Sequence, residues 1–137
     1  MNIASIGKYT VAVLGALFST LFGAWDIALK TLVVFVILDF ATGVIQAIVN
    51  KNLDSNVSFR GAFKKILLFI PVVIGYQVDI LTGQEVFRNL AIWFYLASEA
   101  LSCLENVIKA GVPVPEKLKQ LFVQIKAEQE TKESGKM

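Results

Sequence analysis

Hydrophobic positions along the chain gather into four stretches, Tyr9–Trp25, Thr31–Val49, Ile66–Leu81 and Leu90–Ile108, of 17, 19, 16 and 19 residues. A bilayer core of ~30 Å takes roughly 20 helical residues, within a working range of about 17–25. Each stretch therefore lies at or just below spanning length. The pattern predicts an all-α, polytopic membrane protein with three to four transmembrane helices and a short C-terminal amphipathic helix. Polar residues keep to one side of two of the stretches. At about 100° per residue, Thr31, Asp39, Thr42, Gly43, Gln46 and Asn50 share one face of the second. Tyr95, Ser98, Glu99, Ser102, Glu105, Asn106 and Lys109 share one face of the fourth. The third shows only Tyr76 and Asp79, and the first instead offers the small residues Gly15, Ala16, Ser19 and Gly23 for close helix contact.

Asp39, Asp79, Glu99 and Glu105 lie inside the four windows, and no Lys or Arg lies there with them. An acid at membrane depth is costly and faces protein or water rather than lipid. Two readings of the stripes stay open. In one they are interhelical glue in a monomeric bundle, with protonated acids bonded to Ser, Thr or Asn. In the other they become wet when several chains assemble into a pore, and Asp39 and Glu99 then ionise. Four acids without a cation exceed what glue alone requires, which favours the second.

Composition supports a membrane location: mean hydropathy is +0.64 and 55% of residues are hydrophobic. Net charge is only +2, but eleven of the thirteen basic residues precede the first stretch, lie between the second and third, or follow the fourth. With four spans the positive-inside rule gives N-in and C-in. The link from Asn50 to Lys65 has turn chemistry in Asn52, Asp54, Ser55, Asn56 and Ser58, and Lys64 and Lys65 are expected to snorkel at the inner face. Pro71 predicts a kink in the third helix. The first stretch, bracketed by Tyr9 and Trp25, reads as an uncleaved anchor, because Phe22 spoils a small-x-small cleavage site before Trp25.

Gly111-Val112-Pro113-Val114-Pro115 ends the fourth helix. Residues 1–112 are thus the transmembrane domain, and 113–137 a cytoplasmic amphipathic helix with a charged tail. Leu118, Leu121, Phe122 and Ile125 form its apolar stripe, which contacts the membrane surface or a partner. Beyond Ala127 the composition predicts disorder. No enzyme is expected: there is no His for a triad or a zinc site, and the single Cys103 is read as a packing residue. No catalytic, cofactor-binding or metal residue is assigned. The tail mixes Lys with Glu and is no nucleic-acid patch.

Several of these residues carry a resemblance. The run Asp39-Phe40-Ala41-Thr42-Gly43, then Ser58 to Gly61 with Lys64-Lys65, then Asp79, resembles the phage-lysis and toxin-secretion holins of Gram-positive bacteria and their phages, in particular those of the Cp-1 type. Phe94 to Asn106 and Gly111 to Pro115 extend the likeness over about residues 31–120. It implies a protein of the host bacterial cytoplasmic membrane that homo-oligomerises in the lipid bilayer into lesions. The lesions release an endolysin at a set time or help export a toxin, with an antiholin as a further partner. It implies no catalytic residues, and it leaves open whether the first stretch spans. Asp39, Thr42, Gly43, Gln46, Asp79, Ser98, Glu99, Ser102, Glu105 and Asn106 are the expected pore-facing or helix-contact positions. The alternatives are a small ion- or proton-coupled transporter or channel subunit, and a membrane scaffold.

Overall fold

The structure, a computed structural model, describes residues 1–135. Among them it has six helices: α1 (Ile3–Phe22), α2 (Ile27–Val49), α3 (Ser55–Leu67), α4 (Phe69–Thr82), α5 (Phe87–Lys109) and α6 (Glu116–Ser134). The first two begin earlier than their apolar stretches because each has a polar cap. Asn2 accepts from the Ser5 amide at 2.9 Å, and Asp26 from the Leu29 amide at 3.0 Å. Each cap satisfies a backbone donor that would otherwise be orphaned in the first turn.

The third apolar stretch is the end of a longer rod. α3 and α4 meet at Leu68, whose dihedrals remain right-handed helical (φ −64°, ψ −19°), so Ser55–Thr82 runs on as 28 residues. The break falls three residues before Pro71, where its ring and missing N–H free the carbonyl of Leu67. The kink expected at Pro71 is therefore a slight one, displaced toward the N-terminus.

α5 lies against both α2 and α4. Phe35 meets Cys103 and Asn50 meets Lys109, so α5 runs parallel to α2. Asp79 meets Phe87 and Lys65 meets Glu99, so it runs antiparallel to α4. Leu29, Leu32, Val72 and Ile92 are fully buried between these three helices, with Leu68 and Leu96 beside them. In lipid, where tails are as apolar as leucine, such contacts stabilise by close packing rather than by escape from water. Gly75 shows how close: an added Cβ would lie 2.8 Å from the Phe87 carbonyl.

α1 stands apart. None of its residues is buried. Its last turn docks on α4 through Phe22, whose ring meets Phe69 edge-on at 6.1 Å. Gly23 follows at φ +78°, and a Cβ there would come within 2.7 Å of the Tyr76 ring.

Among the described residues three helices are long and apolar enough to cross a membrane: α1, α2 and the Ser55–Thr82 rod. α5 equals α2 in length, at 23 residues, but is not among the three because its polar stripe lowers its hydropathy. α6 continues through the segment expected to be disordered, since its Lys, Glu, Gln and Ala are good helix formers. The side chains of Phe122 and Ile125, half of the expected stripe, lie outside the described residues.

Replacing Gly75 by Ala should destabilise the bundle by roughly 1–3 kcal/mol through overpacking. Gly15→Ala, where a Cβ meets nothing within 4 Å, should be neutral or stabilising. Thermal melts of the two detergent-purified variants give the comparison.

Candidate functional site

Two polar clusters hold the bundle at different depths. The first lies halfway along. Asp39 sits one residue past the midpoint of the 23-residue α2, and Glu99 does the same in the 23-residue α5. Both are buried, at 3% and 7% exposure. Between them reaches Lys65 from α3. Its Nζ donates to the Asp39 carboxylate and to Glu99 Oε2 at 3.1 Å. Asn106 completes the set. Its Nδ2 donates to Asp39 Oδ1 (2.9 Å), to the Asp39 carbonyl (3.2 Å) and to Thr42 Oγ1 (3.1 Å), while Thr42 Oγ1 donates to the Asp39 carbonyl at 3.1 Å. Among the described residues no buried side-chain nitrogen or oxygen lacks a partner.

This corrects the expectation of uncompensated acids. Lys65 does not snorkel to the inner face; it turns inward and neutralises part of the buried charge. The reason is the length of the rod. With helix beginning at Ser55, Lys65 stands about 15 Å inside it at 1.5 Å per residue, not at its end. The cluster still has two carboxylates and one ammonium. Burying such a group is stabilising only while every partner is in place.

The second cluster binds the end of the bundle where α1 turns into α2. Arg88, 8% exposed, donates from Nε to the Phe22 carbonyl (2.6 Å) and from its terminal nitrogens to the Ala24 carbonyl (2.8 Å) and to Asp26 (2.7 and 3.3 Å). It thereby caps the end of α1 and fixes the start of α2 in one fork. Asp79, from α4, accepts from the amides of Val86 (3.2 Å), Phe87 (2.9 Å) and Arg88 (2.9 Å). These are donors that α5 leaves unpaired at its N-terminus, where a carboxylate is also favoured by the helix dipole. Hydrogen bonding to Arg88 holds the Asp26 carboxyl below its ordinary value of 3.8.

Of the ten positions singled out in the sequence, Asp39, Thr42, Glu99 and Asn106 come together in the first cluster. Gly43 lies 3.5 Å from Asn106 measured to an added Cβ. Gln46 and Ser102 line the cleft beside it. Ser98 and Glu105 are half-buried on α5. Asp79 is elsewhere, capping α5 at the other end. Sequence reasoning placed Lys65 at the inner face rather than in the cluster, and missed Arg88 and Asp26. Asp26 carried a signal, an Asp directly before an apolar run. Lys65 and Arg88 carried none, because their partners lie 26 to 66 residues away.

Comparison with known proteins fits this architecture. A profile of the bacteriophage holin family matches residues 16–127. The chain belongs to the bacteriophage holin family. Relatives include the uncharacterized 14.9 kDa protein in the nagH 3′ region of Clostridium perfringens, 44% identical over 90% of this chain and 96% of its own length. An uncharacterized protein of Listeria monocytogenes is 38% identical over 85% of this chain and 84% of its own length. A protein named probable holin, from Bacillus phage phi105, is 35% identical over 64% of this chain and 65% of its own length. No solved structure matches the chain significantly. Family and apolar helices together make this a multi-pass membrane protein of the holin family.

Lys65→Met should strip the two buried acids of their cation and cost on the order of 3–5 kcal/mol, seen as a lower melting temperature and less protein in the membrane. Adding Asp39→Asn and Glu99→Gln to it should recover most of the loss. The second cluster predicts a pH dependence. Because the folded Asp26 carboxyl titrates below 3.8, its stabilisation is complete above that value and disappears as pH falls through the folded value. Asp26→Asn keeps the cap and loses the charge. It should melt below the unsubstituted protein at neutral pH, and the gap should close as the pH drops below 3.8 and through the folded value.

Proposed function

We propose that this chain accumulates in a bacterial cytoplasmic membrane and assembles there into lesions through which a cytoplasmic endolysin reaches the cell wall. Family membership supports the reading, and one structural observation carries it further. The stripes of α2 and α5 lie against each other at mid-bundle and close on Lys65, so the polar surface expected to line a lesion is present in the single chain but turned inward. Assembly exchanges this internal satisfaction for contact with water and with neighbouring chains. α5 is the fourth crossing, since it follows α2 in parallel and α4 in antiparallel along its length. Both termini then face the cytoplasm, with Lys51, Arg60 and Lys109 toward the same end. The α6 helix lies on that side, at the membrane surface or against a partner.

The test is induction in a bacterial host with and without a cytoplasmic endolysin that lacks a signal sequence, following turbidity and membrane potential together. Abrupt loss of potential, with lysis only when the endolysin is present, is the expected result. Asp39→Asn and Glu99→Gln, each unbalancing the Lys65 cluster, should shift the onset at matched expression. Steady growth with polarised membranes, or saturable ion flux without lysis, would instead favour a transporter or channel.

A further inference from the structure

The bundle packs differently along its length, closely toward the Arg88 end and more openly past the Lys65 cluster. The contiguous core cluster of Leu29, Leu32, Leu68, Val72, Ile92 and Leu96 lies between the Lys65 cluster and the Arg88 end, and Leu101 is the one buried apolar residue past Glu99 among the described residues. On the other side of the cluster the packing opens. A cleft of ≈ 340 Å³ runs between α2, α3 and α5. It has room for on the order of ten waters, each taking about 30 Å³ in the liquid. Its mouth is at Asn52 and Asp54 in the α2–α3 link, its walls carry Gln46, Ser58 and Ser102, and its floor is Lys65 with Asp39. Lys65 retains 21% side-chain exposure, toward this cleft, where Asp39 has 3%. From Ser58 to Lys65, both in the cleft's lining, is about 10 Å along α3.

We propose that this cleft is an aqueous vestibule, open in the single unassembled chain, that brings water and small monovalent cations from one face of the membrane to the Lys65–Asp39–Glu99 cluster. Three features point the same way. Gln46, Asn52, Ser58, Ser102 and Asn106 offer water hydrogen-bond partners along a lining that also holds the apolar Phe40, Val44 and Val57. The charged residues lining the cleft are Asp39 and Asp54 against Lys65, whose ammonium is also shared by Glu99, while Lys51, Arg60 and Lys109 at the same end lie outside the lining, so the vestibule favours cations over anions. The core beyond the floor is dry, so access ends there and the chain alone does not leak. Gly61 lines the cleft, and a Cβ at this residue meets nothing within 4 Å, so there is room here for a bulky side chain that would narrow the passage. The direction of opening, toward the cytoplasm, rests on the topology proposed above; the vestibule itself does not.

The experiment is cysteine accessibility in the full chain carrying Cys103→Ala, expressed below the level that permeabilises the membrane and studied in inside-out and right-side-out vesicles. Gln46→Cys and Ser102→Cys are exposed to membrane-impermeant methanethiosulfonates, one cationic and one anionic. Asn52→Cys serves as a solvated reference, Ile45→Cys as a lipid-facing control and Leu96→Cys as a core control. Gln46→Cys and Ser102→Cys should react from inside-out vesicles, with the cationic reagent faster by about tenfold or more. Ile45→Cys and Leu96→Cys should stay unreactive. Adding Gly61→Leu should slow Ser102→Cys and leave Asn52→Cys unchanged. Reaction no faster than at Ile45→Cys, or indifference to Gly61→Leu, overturns the vestibule. Reaction from right-side-out vesicles alone would uphold it and overturn the N-in topology.

Discussion

One ammonium group between two carboxylates, halfway along the bundle, is the constraint on which the structure depends. Lys65 comes from α3, Asp39 from α2 and Glu99 from α5, so the cluster ties together the three elements that make the body of the molecule. Each charge is too costly to leave alone at that depth. The helices must therefore keep a register in which all three meet, and the antiparallel run of α4 against α5 and the parallel run of α5 beside α2 satisfy it. Asn106 and Thr42 use the hydrogen-bonding capacity that Lys65 does not reach.

The opposite end is held by different chemistry. Arg88 binds the carbonyls that end α1 and the carboxylate that begins α2, and Asp79 covers the amides that begin α5. Two chain turns converge there, and helix ends converging in a low-dielectric setting leave backbone groups that water cannot serve. Gly75 and Gly23 allow the close approach that brings these groups within reach. α1 gains its attachment at this end; no residue along it is buried. The molecule is thus a three-element body with a hydrophobic arm, an arrangement suited to a bilayer and poorly suited to water.

Between the two clusters the core is apolar and closed, and past Lys65 it loosens into a cleft lined by both polar and apolar residues. A protein that belongs to the holin family and carries such a gradient of polarity stores its hydrophilic surface inside a unit that remains acceptable to lipid. The balance is narrow by construction, because two carboxylates share one cation.

Much of this was legible in the chain itself. Four apolar stretches fixed the helical class, and the three-to-four-residue spacing of Asp39, Thr42, Gly43 and Gln46, and of Ser102 and Asn106, placed the stripes on faces that do meet. Gly111 and Pro113 marked the end of α5. These are local properties: helical periodicity and backbone stereochemistry act over a turn or two, so residue order suffices. Charge compensation is not local. Lys65 looked like the last residue before a span because the polar turns of α3 hid the helix beneath them, and Asp79 looked like a stripe residue because the amides it caps belong to another helix. Which acid meets which cation depends on the depth and register at which whole helices pack, and only the tertiary structure decides that.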